Sequence, residues 1–586
     1  MRGTPKYLDP VLLVLTLVPP AILLFVIQRY GVNVPFDDHW SFAGLFQKLE
    51  QGTLTLGDLA ASHNESRMFF PRLLILPLSY LSGWNVRLEM LISFLLACLV
   101  SINVYRLGRA SFPGNRTIAL GLLVPANLLI FGVVQWQNWL WGFQIVAFVP
   151  IAVLTSGLVV ACSRRSVTTR FLVNIGLATI ATFSFSSGLL CWVVVLPVLV
   201  LLDPDAIRKK KWLVPLWLTA ALVNVALYFA TYTHPGHHPS PAEALRHPLE
   251  AAFFFAAVLG APLGWVLGPE REATLAVSAG IGFTLSALFV AAAATVWLRR
   301  TNDALRRRAT PWLGLAGFVL LSGGMLTAAR LGFGAGYALE SRYSTAALYL
   351  CVALIFLVPV LMEEQRRTGG RWGRPSMSHA ATALLTLLVA AHAITSAHQW
   401  RLLPSIRHAR LTGKAMLTFL DVAPNVEGLG KFLFPRPEEI IKAVRSADRQ
   451  GLLDPPLLTS DRVREIAGTT ADENTGALER HASRQGNLML SGWAVLPHRA
   501  EPAHAVLLCQ EVPGDEPRIF AVVASEIARP DVVERLGQSN YLRSGWQFRS
   551  TVSLPPHTVT VSAWAYDALT RTAYRLDGSA EIGPAP

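Results

Sequence analysis

Charge is what this chain has least of. Only 15% of its 586 residues are Asp, Glu, Lys or Arg, against the roughly 25% usual in soluble proteins. That shortage excludes an ordinary water-soluble globule. Paired cysteines are missing too. Cys98, Cys162, Cys191, Cys351 and Cys509 show no CxxC spacing, and four of them lie in or beside apolar runs. Neither a disulfide framework nor a thiolate metal site can be drawn from them. No Walker-type Gly-Lys-Ser/Thr phosphate loop occurs, and no polar segment between the apolar runs is long enough for half a dinucleotide-binding fold. The net charge of +13 is not gathered into a basic tail. It falls in short clusters between apolar runs, the pattern that orients membrane spans, and no nucleic-acid-binding motif accompanies it.

What the chain does have is hydrocarbon: 52% hydrophobic residues and a mean hydropathy of +0.41. Many runs approach the 18 or more residues that cross a ~30 Å hydrocarbon core, so the sequence predicts a polytopic α-helical membrane protein. The run Pro10–Gln28 exceeds a signal-peptide core and no small-residue cleavage pattern follows it, which predicts an uncleaved first span. Hydropathy gives thirteen runs. Two are broken: 68–84 by Pro71, Arg72 and Pro77, and 249–268 by Gly260, Pro262 and Gly264. Both suit juxtamembrane helices in the outer interface.

Removing these two leaves about eleven transmembrane helices and puts the basic loops on one side. These loops hold Arg106, Arg109 and Arg116; Arg164, Arg165 and Arg170; Arg208 and Lys209 to Lys211; Arg299, Arg300, Arg306, Arg307 and Arg308; and Arg366, Arg367, Arg371 and Arg374. The positive-inside rule then predicts an inner N-terminus and an outer C-terminus. Composition rich in Ala, Arg, Leu and Gly suggests a bacterial inner (cytoplasmic) membrane.

Three domains follow: a transmembrane domain over 1–398 with its first outer loop at 30–87, a helical extracytoplasmic linker over 399–475, and a β-sandwich-like extracytoplasmic domain over 476–586. "NLMLSGWAVL", "HAVLLCQEV", "RIFAVVA", "GWQFRSTVSL" and "TVTVSAWAYD" read as its strands. That domain suits either glycan binding or plain packing.

The outer face carries the unusual chemistry. Asp37 and Asp38 stand together just after the first span, and His63, Glu65, Arg67 and Arg72 close the same loop. Three readings of the aspartate pair are open: a helix cap, a Mg²⁺ or Mn²⁺ site, and a general base beside an orienting neighbour. Arg67 and Arg72 suit a lipid phosphate, since a guanidinium fork matches phosphate bidentately; snorkelling is the plain alternative. Trp136, Trp139 and Trp141 suit sugar stacking or an interfacial belt. Glu340, Arg342 and Tyr343 sit where an apolar run begins, a costly place for ionisable groups. His234, His237 and His238 resemble a metal cluster but lack a helix to fix their spacing.

"FDDHW", "PRLLILPLSYLSGWNVR" and "VYRLGR", in that order, resemble the GT-C glycosyltransferases, in particular the branch holding protein O-mannosyltransferases and the lipid A aminoarabinose transferases. The recognisable motifs lie within residues 9–200. The resemblance implies a sugar carried on a polyprenyl phosphate, transfer at the outer face to an envelope glycan, lipid or protein acceptor, usually with inversion. It implies Asp37 or Asp38 as the base. Glu65 joins these as a catalytic candidate, and His39, His63, Arg67, Arg72, Trp136, Trp139, Arg342 and Tyr343 as substrate-binding candidates. The residues themselves require no cofactor; the candidate metal is Mg²⁺ or Mn²⁺, on Asp37 and Asp38. Two other readings compete: an O-antigen polymerase or ligase, and a non-enzymatic glycan-binding membrane scaffold. A secondary transporter is disfavoured, because the span centres are nearly free of ionisable residues and no inverted repeat is visible.

Overall fold

The computed structural model describes residues 8–582 apart from 237, 269, 369–374, 470–473, 485–486, 512–513 and 551–557. His237, Arg371, Arg374 and the end of the expected strand at 545–554 therefore lie outside the described residues. The chain divides into two compact units. The first comprises Met1–Gly31, Thr55–Ile75 and Arg87–Leu403; the second comprises Val32–Leu54, Leu76–Val86 and Pro404–Pro586.

The first unit is helical. Among the described residues of the whole chain eight helices are long and apolar enough to cross a membrane: Leu8–Tyr30, Val86–Ser111, Arg116–Trp139, Gly142–Ala161, Arg271–Leu298, Asp303–Phe333, Ser341–Arg367 and His379–Thr418. Five apolar helices are shorter. They include Phe69–Ser82 and Pro248–Leu263, the two runs that the charge pattern sets aside, and also Val167–Thr182, Ser186–Leu202 and Leu213–Phe229. Hydropathy counts those last three as spans because it registers apolar content, not helical length. At ~1.5 Å per residue, 17 residues reach ~26 Å, the lower end of what crosses a ~30 Å core.

Polar side chains tie helices of this unit together where apolar contact with lipid-like surroundings supplies little drive. Asn127, buried, donates to the Thr16 carbonyl and accepts from Ser101 Oγ at 2.7 Å. Asn103 donates to Thr155 and Ser156. Gly282 explains one close approach: a Cβ there would meet the Ala256 carbonyl oxygen at 1.8 Å, so the helices Pro248–Gly260 and Arg271–Leu298 can touch only because it lacks one.

The second unit ends in two antiparallel sheets. One runs Thr572–Arg575, Val559–Asp567, Ala505–Glu511, Arg518–Val523, with Ala580–Ile582 also on Val559–Asp567. The other runs Gly476–Arg484, Asn487–Leu496, Gly545–Ser550, Ser525–Ile527, with Glu501–Pro502 also on Asn487–Leu496. Leu490, Leu496 and Trp546 of one sheet and Val506, Leu508 and Val561 of the other bury into one cluster. The five strands expected from alternation are present over the described residues. The added Gly476–Arg484 strand reads "GALERHASR", which is too charged to stand out. Trp493, Trp546 and Trp564 are all buried, so none of them offers a flat face to a sugar. In the same unit the helix Pro437–Arg449 buries Ile440, Val444 and Ala447, the i, i+4, i+7 stripe of an amphipathic helix, and packs on Ser41–Glu50.

Candidate functional site

In the first unit, "SHNESR" makes a small hairpin. Ser62 pairs with Arg67 and His63 with Ser66, leaving Asn64 and Glu65 at the tip. Asn64 adopts φ 50, a left-handed conformation that Asn tolerates better than most residues. The tip delivers Glu65 to Arg330, the last residue of the Asp303–Arg330 helix. Arg330 NH1 and NH2 donate to the two Glu65 oxygens at 2.7 and 3.2 Å. The remaining carboxylate position faces His238, whose Nδ1 lies 2.5 Å from Oε1. The Tyr228 hydroxyl donates to the Glu65 backbone carbonyl. Burial pushes the Glu65 carboxyl up, but the Arg330 hydrogen bond and charge and the His238 hydrogen bond outweigh it and hold the pKa down at about 2. Glu65 is thus ionised and weakly basic at neutral pH, which suits it to orient His238 rather than to abstract protons itself.

Arg342 and Tyr343 extend this constellation. Arg342 NH2 donates to the Tyr337 hydroxyl at 2.9 Å, and its guanidinium lies over the Tyr337 and Tyr343 rings at 5.8 and 5.4 Å. Its Nε is buried and has no hydrogen-bond partner among the described residues. The backbone at Arg342 is fixed from both sides: its N–H donates to Gln137 Oε1, and its carbonyl accepts from Asn138 Nδ2. Of the two guanidiniums, that of Arg330 is spent on a carboxylate and that of Arg342 on the Tyr337 hydroxyl.

The other expected phosphate ligands are placed differently. Arg67 is 4% exposed and donates to the Tyr228 and Ala60 carbonyls and to Thr231 Oγ1. Arg72 donates to the carbonyls of Asp58, Leu59 and Ala61. Buried backbone oxygens need donors, and these two arginines supply them to the loop and helix end around Glu65. Trp139 is fully buried, stacked on Phe148 with its Nε1 donating to Gly132. Trp136 donates to Gln399. Trp141 stacks on Phe143, which also meets the His63 ring at 5.3 Å.

In the second unit, Asp37 opens a 3₁₀ turn, Asp37–Trp40, with φ 48. Its N–H donates to the Leu433 carbonyl. The position before it, Phe36, makes no side-chain cap, so neither aspartate occupies the expected capping place. Phe36 lies under the Arg410 guanidinium, 3.1 Å from CZ to ring centroid, and Asp37 is the charge that offsets Arg410's burial. Both aspartates are half-buried. His39 is fully buried, with its ring edge-on to Phe42 and Trp84 at 5.9 and 5.5 Å.

A divalent cation does not fit Glu65, since both oxygens already face guanidinium N–H groups, and among the described residues no three His, Cys, Asp or Glu side chains converge on one point. His234 is exposed.

Sequence reasoning missed Arg330, Tyr228, Tyr337 and Arg410. Arg330 carried a signal: it is an arginine ending an apolar run, paired in sequence with the polar "ALESRY" that begins the next. His238 was visible only as part of a histidine-rich loop. Compared with family models, curated proteins and solved structures, the chain matches none.

Proposed function

We propose that the chain is a membrane glycosyltransferase that moves a sugar from a polyprenyl phosphate to an envelope acceptor hydroxyl, with inversion. The observation that carries the reading is Arg342, a guanidinium over the Tyr343 ring whose buried Nε has no hydrogen-bond partner among the described residues, together with the Arg330–Glu65–His238 set. In such a reaction the acceptor oxygen bonds to the anomeric carbon as the bond to phosphate breaks. The electron pair leaves on the phosphate oxygen, and the acceptor proton passes to a base. Charge grows on the phosphate, so a positioned guanidinium with an unspent donor favours the transition state over the ground state. The motifs "FDDHW" and "PRLLILPLSYLSGWNVR" make Asp37 or Asp38 the base in this reading.

One observation favours a second reading, an O-antigen polymerase or ligase acting on lipid-linked glycans. His238 comes from the later 233–248 loop, and its Nδ1 rests on a carboxylate. With a carboxylate fixing Nδ1–H, the opposite nitrogen becomes the basic one, as in hydrolase triads.

Both readings call for the same assay: the purified full chain in proteoliposomes, given polyprenyl-phosphate-linked sugars, with release of polyprenyl phosphate followed. Loss of transfer in Asp37→Asn/Asp38→Asn with activity kept in His238→Asn supports the first reading, and the reverse supports the second. No turnover with any such donor would remove both and leave a scaffold. Mass spectrometry of envelope glycans from a deletion strain would name the product.

A further inference from the structure

Far from Glu65, the first unit holds an open cleft of about 440 Å³ bordered by Leu201, Phe289, Trp297, Leu313, Arg300 and Arg306, among other residues. Its walls come from the helices Leu190–Leu202, Arg271–Leu298 and Asp303–Arg330. Arg306 and Arg330 are 24 residues apart on the last of these, ~36 Å along the axis at ~1.5 Å per residue, so the cleft lies at the end of the bundle opposite the Glu65 constellation.

The deep wall is hydrocarbon, and the lip is cationic. Residues 299–308 carry five arginines against one aspartate. Asp303 pairs with Arg306 at 2.7 Å and is itself 72% exposed. The nearest other carboxylates are engaged: Glu363 by Arg308 and Arg367, and Glu364 by Asn302. Arg306 Nε is buried and has no hydrogen-bond partner among the described residues. Arg300 makes one long bond, to the Trp297 carbonyl at 3.4 Å, and lies over the Trp297 ring. Trp297 is 64% exposed, the place an indole takes at a membrane–water boundary. From Phe289 to Leu298, where the helix ends, is nine residues, ~14 Å along the axis, close to one leaflet of a ~30 Å core.

We propose that this cleft binds an anionic phospholipid, its phosphate on Arg300 and Arg306 and one acyl chain against Phe289, Leu313 and Leu201. Charge complementarity selects the occupant: a zwitterionic headgroup brings its own cation against the arginines, whereas an acidic one does not. Basic pockets between helices on the inner side of membrane proteins bind acidic headgroups in this way. The site is independent of any sugar transfer.

Native mass spectrometry of the purified full chain in detergent, titrated with phosphatidylglycerol and with phosphatidylcholine of matched chains, tests it. The expected result is at least tenfold tighter binding of phosphatidylglycerol, with that preference lost in Arg300→Gln/Arg306→Gln. Leu313→Trp, which fills the hydrocarbon part and leaves the arginines in place, should weaken both lipids; it also serves as the test if the arginine variant does not fold. Equal affinity for the two lipids overturns the proposal, as does an unchanged preference in the arginine variant or undiminished binding in Leu313→Trp. So does full displacement of phosphatidylglycerol by millimolar inorganic phosphate, which would make the lip a free-phosphate site.

Discussion

Arg67 and Arg330 sit within one small region of the first unit, both largely out of water, and they do different work. Arg67 spends its donors on two backbone carbonyls and a threonine hydroxyl. Arg330 spends its fork on a carboxylate that also holds a histidine. Both are arginines beside apolar runs; the sequence marks Arg67 as a phosphate ligand and passes over Arg330. Their partners divide them: a guanidinium on carbonyls fixes the chain, whereas one on a carboxylate sets the charge state of a reactive pair.

The comparison can be broken by substitution. The largest effect is expected at Arg330→Gln, which unpins Glu65: transfer should fall by ~10²–10⁴, the span usual for loss of a positioned acid–base group, and turnover per folded molecule measures it. Arg67→Met should cost about 3 kcal/mol or more of stability, since several buried acceptors lose their donor at ~1–3 kcal/mol each. Calorimetric melting in detergent checks that, and turnover per folded molecule should stay near wild type.

pH sharpens the contrast. The Glu65 pKa is depressed from 4.5 to about 2, so its stabilising contribution is fully present above about 4.5 and is lost as pH falls toward about 2. Unfolding followed between pH 5 and 2 should show a steeper loss in the wild type than in Glu65→Gln. The smallest effect is expected at Trp136→Phe, where one neutral hydrogen bond to Gln399 is removed: about 1 kcal/mol, read from the same melting curves.

How much of this could be read from residues alone depends on the range of the interaction. Apolar run length and alternation are local, so the membrane-crossing helices and five C-terminal strands were legible. Hydropathy registers apolar content rather than helical length, so the eleven expected spans divide into the eight long helices and the three shorter ones, Val167–Thr182, Ser186–Leu202 and Leu213–Phe229. The site was legible as single residues, Glu65, Arg342 and Tyr343 among them, but not as a set. Glu65 meets a histidine 173 positions away and an arginine 265 positions away, and no spacing rule spans such separations. The roles suggested for Arg67, Arg72 and Trp139 failed to anticipate neighbours for the same reason. Most of their partners are backbone carbonyls brought near by the fold, which a list of side chains does not contain.

The most direct test is of the second guanidinium. Purified wild type and Arg342→Gln should be compared for sugar transfer from a polyprenyl phosphate at saturating acceptor. The account predicts turnover with release of polyprenyl phosphate by the wild type, and at least ~10²-fold slower release per folded molecule by the variant, the scale of one lost transition-state donor. Equal rates in the two proteins would contradict it.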